Sequence, residues 1–154
     1  MKRSTIAKNF IIAAVAALAV AIGPAANAAD RGCTNASIKG TFAFQATGSH
    51  FPPTGASLLD VVFAQTFDGI GALTSTGLQS DNGKILQLTQ TGTYTVNADC
   101  TGTYTALVSP LGFMVHFFFV IADSGNELVV ISADANTVLA GTARRLFPAG
   151  DWRE

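Results

Sequence analysis

TGTYTVNADCTGTYT, residues 91–105, contains the pentapeptide TGTYT twice, at 91–95 and at 101–105. Between the copies lies Asn97-Ala98-Asp99, a cluster of residues that tolerate the left-handed backbone of a tight turn. Threonine and tyrosine favour a pleated, half-buried surface, and a glycine inside a strand marks a bend or bulge. The two copies therefore read as the arms of one β-hairpin, with Cys100 at the turn. No repeat of 20 to 50 residues accompanies them, so a solenoid or propeller does not follow.

The same pattern continues in both directions. Turn signals recur at Pro52-Pro53-Thr54-Gly55, Asp68-Gly69-Ile70-Gly71, Asp81-Asn82-Gly83, Ser109-Pro110-Leu111-Gly112, Asp123-Ser124-Gly125-Asn126 and Asp134-Ala135-Asn136. Between them lie β-branched and aromatic runs without helical period, the signature of consecutive antiparallel strands. Eight strands are expected, over 40–48, 57–67, 71–80, 84–96, 101–108, 112–122, 127–133 and 137–146. All links but the first are hairpin-short, so neighbours in sequence pair as a meander. An open meander leaves two unpaired edges. Pairing the first strand with the last removes them, giving an up-and-down barrel of the size that holds one small ligand. A two-sheet sandwich is the alternative.

The ends of the chain bound its compartment. Lys2, Arg3 and Lys8 precede the apolar run 10–22, Gly23-Pro24 breaks that run, and Ala26-Asn27-Ala28 supplies small residues for cleavage. This is the pattern of a secretory signal peptide over residues 1–28, and the run is shorter than the roughly 20 residues of a membrane span. Export leaves a single domain over 29–154, with no stable membrane span after the signal is removed. Of nine basic and ten acidic residues, cleavage removes three bases and no acid, leaving six against ten, a charge of −4. Such a balance argues against a nucleic-acid partner, which requires a basic face. Cys33 and Cys100 are the two cysteines, and an even pair in an oxidising compartment points to one disulfide. Asn35-Ala36-Ser37 fits a glycosylation acceptor, but the short, alanine-rich leader has a bacterial character and the match reads as coincidence.

TFDGIGAL (66–73), the following Asp-Asn-Gly turn and GTYTVNADCTGTYT (92–105) resemble a family of small exported bacterial proteins, mostly of unknown function. Its members share an FDG-x-G element and a GTYTVN-x-DCTGT element. The resemblance spans most of the chain beyond the leader and implies a calycin-like barrel similar to that of allene oxide cyclases. No residue pattern here matches the cyclases' catalytic positions, so none is carried over.

Alternation assigns faces to most strands. In the second, Leu59, Val61, Phe63, Gln65 and Phe67 lie opposite Leu58, Asp60, Val62, Ala64 and Thr66. In the fourth, Leu86, Leu88, Gln90, Tyr94 and Val96 lie opposite Ile85, Gln87 and four threonines. The sixth is apolar on both sides, with Phe113, Val115, Phe117, Phe119 and Ile121 against Met114, His116, Phe118 and Val120, and the seventh behaves likewise. A strand apolar on both faces is covered on both faces, so a homo-oligomer built through strand 112–122 is expected.

Chemistry is sparse. His116 and Asp60 are the ionisable residues set among apolar neighbours, and burial would tune either toward acid–base work. The structural alternatives are a hydrogen-bonded histidine in a core or subunit contact and a carboxylate on the wet face. Candidate ligand contacts inside the barrel are Phe63, Gln65, Tyr94, His116 and Phe118. His50 sits in the longest loop, where a barrel mouth is gated or merely connected. Arg144 and Arg145 put one guanidinium on each face of the last strand, suited to an anion or to rim salt bridges. The Asp-rich turns lack the spacing of a calcium loop, so no metal and no cofactor is expected. Three functions remain open: a carrier of a hydrophobic small molecule, a self-associating structural protein, and an isomerase or cyclase resembling allene oxide cyclase, whose shaped cavity orders the substrate.

Overall fold

Residues 32–53 and 55–147 are described by the computed structural model. They form eight antiparallel strands: β1 (Gly40–His50), β2 (Ser57–Phe67), β3 (Ala72–Asp81), β4 (Lys84–Val96), β5 (Thr101–Ser109), β6 (Phe113–Ala122), β7 (Glu127–Ser132) and β8 (Thr137–Arg145). Each strand pairs with its successor, and β8 pairs with β1 from Phe42↔Arg145 to His50↔Thr137. The sheet is therefore a closed up-and-down barrel and not a sandwich. Strand ends fall within two residues of those read from the sequence, the largest difference being in β1. There the pairs Ser49↔Leu58 and His50↔Ser57 extend the first hairpin toward its loop. The leader expected over 1–28 lies outside the described residues.

The barrel is inside-apolar. Buried and exposed positions alternate along β2, where Val61, Phe63, Gln65 and Phe67 point in. The ambiguity of β6 resolves the same way: Phe117 and Phe119 are buried, while Met114, His116, Phe118 and Val120 are exposed. In the opening hairpin, Tyr94 and Tyr104 face one another within the barrel while Thr93, Thr95, Thr103 and Thr105 lie on the other face. Glycine is required between them. A side chain at Gly102 would run into the Phe119 ring and the Thr95 carbonyl, and one at Gly92 into the Thr105 carbonyl and Ala106.

One end of the barrel is plugged. A short 3-10 helix, Asn35–Ile38, caps that end and buries Ile38 completely. The disulfide Cys33–Cys100 ties the segment before it to the β4–β5 turn. Asn35 works as a clasp: its Nδ2 donates to the Ile70 carbonyl at 3.1 Å, its Oδ1 accepts from Val96 N–H at 2.8 Å, and its carbonyl accepts from the Tyr94 hydroxyl at 3.1 Å. The same hydroxyl accepts from Gly69 N–H at 2.8 Å. From β8, Arg145 donates to the carbonyls of Gly125, Ser37 and Lys39 and to Asn126, and its guanidinium lies 4.6 Å from the centre of the Phe42 ring. Asp68 closes the β2–β3 turn by accepting from the N–H groups of Ile70, Gly71 and Ala72 at 2.8 to 2.9 Å. Of these, the Ile70 bond does most to hold its carboxyl below the ordinary value of 3.8.

Two outcomes follow for this end. Cross-linking residues 67 apart in sequence removes loop entropy from the unfolded chain, so replacing Cys33 and Cys100 by alanine should cost about 2–5 kcal/mol in denaturant titration. A carboxyl depressed by folding stabilises above its unfolded pKa and loses that contribution as pH falls through the folded one. Stability should therefore decline below about pH 3.8 in part through Asp68, and Asp68→Ala should show a shallower decline over that window in melting curves.

Candidate functional site

The opposite end carries the loops between β1 and β2, β3 and β4, β5 and β6, and β7 and β8. A cavity of about 720 Å³ runs into the barrel from there. Its size lies within the range of small-molecule sites, roughly 300–1,000 Å³. Phe44, Phe63 and Phe117 are its large buried aromatics, Val61, Leu86, Val108 and Leu139 add aliphatic wall, and Gln90 is its buried polar member. Polar residues gather near the loops: His50, Gln79, Asp81, Lys84, Asp134 and Thr137.

The aromatics explain why the cavity stops where it does. Phe44 packs edge-on against Phe117, with ring centres 5.8 Å apart, and tilted against Phe63 at 6.2 Å. Tyr104 stacks on Phe117 at 4.9 Å with planes 17° apart. Toward the plugged end, Phe67 packs edge-on against both Phe42 and Tyr94. One half of the lumen is thus filled by interlocked rings, and the other half is lined by shorter side chains.

Among the described residues, the buried polar ones are Gln65, Ser75 and Gln90. They are register partners on adjacent strands, Gln65↔Ser75 and Ser75↔Gln90. Gln65 donates to the Tyr104 hydroxyl, and burial drives that phenol well above its ordinary pKa, so it is neutral. Gln65 Oε1 and Ser75 Oγ have no hydrogen-bonding partner in the protein. A buried, unpaired polar group costs about 1–3 kcal/mol, so this row works against the fold.

Three of the residues singled out in the sequence point into the barrel. Phe63 lines the cavity, Gln65 belongs to the buried polar row, and Tyr94 faces inward at the plugged end, where its hydroxyl is consumed by Asn35 and Gly69. His116 and Phe118 point outward from β6 and do not line the lumen, because Phe117 and Phe119 take the inward positions. His116 is bound by Asp134, its Nδ1 lying 2.6 Å from one carboxylate oxygen and its backbone N–H donating to the other at 2.9 Å. Asp60 is exposed on the outer face of β2, in a depression it shares with Gln45, Thr47 and Thr142. His50 does reach the cavity mouth and hydrogen-bonds Thr137 at 3.0 Å. Arg144 pairs with Glu127 at 3.2 Å on the rim, while Arg145 serves the plug. Gln90, Ser75 and Tyr104 were not singled out. Gln90 shares the apolar face of its strand with Leu88 and Tyr94, a signal that was present in the alternation.

An eight-stranded up-and-down barrel, plugged at one end and hollow at the other, with polar side chains inside the hollow half, belongs to the class of barrels able to enclose a small molecule. No protein-family model matches the chain, and no curated protein matches it.

The unpartnered hydroxyl gives a direct check on the polar row. Ser75→Ala removes a buried group that gains nothing from the fold, and should stabilise the protein by about 1 kcal/mol in denaturant unfolding. A loss of stability would show that the hydroxyl is satisfied in solution.

Proposed function

We propose that the protein is an exported carrier that holds a hydrophobic small molecule in the lumen of its barrel. The observation that carries this reading is the cavity of about 720 Å³, bounded by Phe44, Phe63 and Phe117 and reached from the loop end. The disulfide fits an oxidising compartment, consistent with the leader sequence. Lining of this kind favours burial of apolar ligand surface at roughly 25 cal/mol per Å². The neutral dye N-phenylnaphthylamine should bind with one site per barrel and brighten on binding. Leu139 lies on the cavity wall and points inward. Leu139→Trp should fill the space and abolish dye binding while the β-sheet circular dichroism is retained, with Val61→Trp as an independent replacement from β2. Dye binding unaffected by both substitutions would move the site elsewhere.

A second reading is favoured by a different surface. Met114, Phe118 and Val120 on β6 lie beside Leu107 on β5 and Val129 and Ile131 on β7, and each is exposed to between 38 and 52%. Isolated soluble domains rarely expose contiguous apolar patches of this kind. We infer that two copies of the barrel associate through this face, with His116 hydrogen-bonded to Asp134 at its edge. Phe118→Lys should yield a smaller folded species by light scattering, and a wild-type monomer at tens of micromolar would refute the association.

A further inference from the structure

The buried polar residues are part of one row across the inner wall. Consecutive register partners from β1 to β6 are Phe42, Gln65, Ser75, Gln90, Val108 and Phe113. The row starts at the plugged end, where Phe42 packs under Arg145, and arrives at Phe113 on the cavity lining. Its polar stretch therefore leads from Gln90, on the cavity wall, toward the filled half of the lumen. Gln65, Ser75 and Gln90 are only 2, 7 and 8% exposed. Tyr104 occupies one end of the Gln65 amide, and the other end has no protein partner, whichever way the amide is turned. Ser75 Oγ, between the two glutamines, has none either.

We propose that this row is the head-group subsite of the cavity, and that its ligand is a lipophilic molecule bearing a neutral alcohol or primary amide that enters polar end first. This rests on the cavity being a ligand site. Adjacent members of the row are one strand spacing apart, about 4.8 Å, so a single small polar group inserted beside Gln90 and Ser75 stands within reach of both. Amides and hydroxyls both donate and accept, and a head group that does the same satisfies them best. The charge of the head follows from what the interior lacks. No charged side chain is among the buried residues described, and an anion placed there would lose its hydration without gaining a cation. Arg145 is committed to backbone carbonyls at the plugged end. Lys84 lies near the mouth, where β4 begins. An anionic amphiphile would therefore sit the other way round, tail inward and carboxylate at Lys84.

The test is displacement of N-phenylnaphthylamine from the intact protein by four ligands of matched chain length: decanol, decanamide, methyl decyl ether and decanoate. Decanol and decanamide should displace the dye at about 10-fold lower concentration than the ether, the factor that corresponds to about 1.4 kcal/mol, which is the scale of one uncharged hydrogen bond. Decanoate should be the weakest of the four. Gln90→Leu and Ser75→Ala should each reduce the preference for alcohol over ether, read as the ratio of the two displacing concentrations. Equal displacement by decanol and ether overturns the subsite while leaving the carrier reading intact. So does a preference for decanoate that disappears in Lys84→Ala, which would establish the reversed orientation. A protein that binds neither the dye nor any of the four removes the carrier reading and the subsite together. The ligand series on the wild-type protein decides the matter even if a variant fails to fold.

Discussion

Everything in this molecule depends on the pairing of β1 with β8. Nine register pairs, from Phe42↔Arg145 to His50↔Thr137, convert an eight-stranded meander with two open edges into a sheet with none. Closure also fixes which side chains meet, because a slip of one residue at any seam would turn a whole strand inside out. With the seam set, Phe42, Phe44 and Ala46 point into the lumen from β1 and Leu139 and Ala143 from β8. It also brings Arg145, the last residue of the last strand, to the start of the first. There it reaches the carbonyls of Ser37 and Lys39 and fastens the plug across the seam.

The two ends then diverge for physical reasons. The plugged end spends its polar groups on itself: Asn35, Tyr94, Asp68 and Arg145 each bind backbone groups of neighbouring turns, and the disulfide holds the segment that carries Ile38. The rings of Phe42, Phe67 and Tyr94 fill the space above it. Toward the loops the inward positions pass to Val61, Leu86, Val108 and Leu139, which are too short to meet across a barrel of this girth, and a cavity results. A gradient of side-chain size along the axis is enough to produce a barrel with a floor and a mouth.

The architecture was legible in the sequence because turn chemistry and period-two alternation are local signals. Closure was the favoured reading because it removes both edges of a meander, but a two-sheet sandwich was the alternative, and the pairing of β8 with β1 decides between them. What resisted was anything decided by distant partners. Both faces of β6 are apolar, so alternation carried no information about direction; Gly102 decides it, by leaving the room that the Phe119 ring occupies. Tyr94 looked like a ligand contact because it shares a face with Gln90, but its hydroxyl meets Asn35, 59 positions away. His116 is explained by Asp134 across the β6–β7 hairpin, a pairing that depends on the register. Gln65 and Gln90 were visible as polar residues on apolar faces. Ser75 was not, because β3 alternates small residues on both sides and gives no contrast.

Among the described residues, the fully buried polar side chains of the inner wall fall in one row, and that location is informative. Polar residues on the outside of a barrel cost nothing, and those at the plug are paired with backbone. Gln65, Ser75 and Gln90 are neither, although the inward positions beside them on the same strands include the apolar Phe63, Phe67, Leu73 and Leu88. A half-satisfied buried network is worse for stability than an apolar core, and departures from local consistency concentrate at functional sites. The departure here touches the cavity at Gln90 and continues behind it, with Tyr104 holding the far glutamine in place. A polar row with free hydrogen-bonding capacity, reached from an apolar chamber, would on the carrier reading give an incoming molecule a direction as well as a volume. On the carrier reading proposed above, the apolar wall would accept a tail anywhere in the chamber, and the row inside and Lys84 at the mouth would tell a neutral head group from an anionic one.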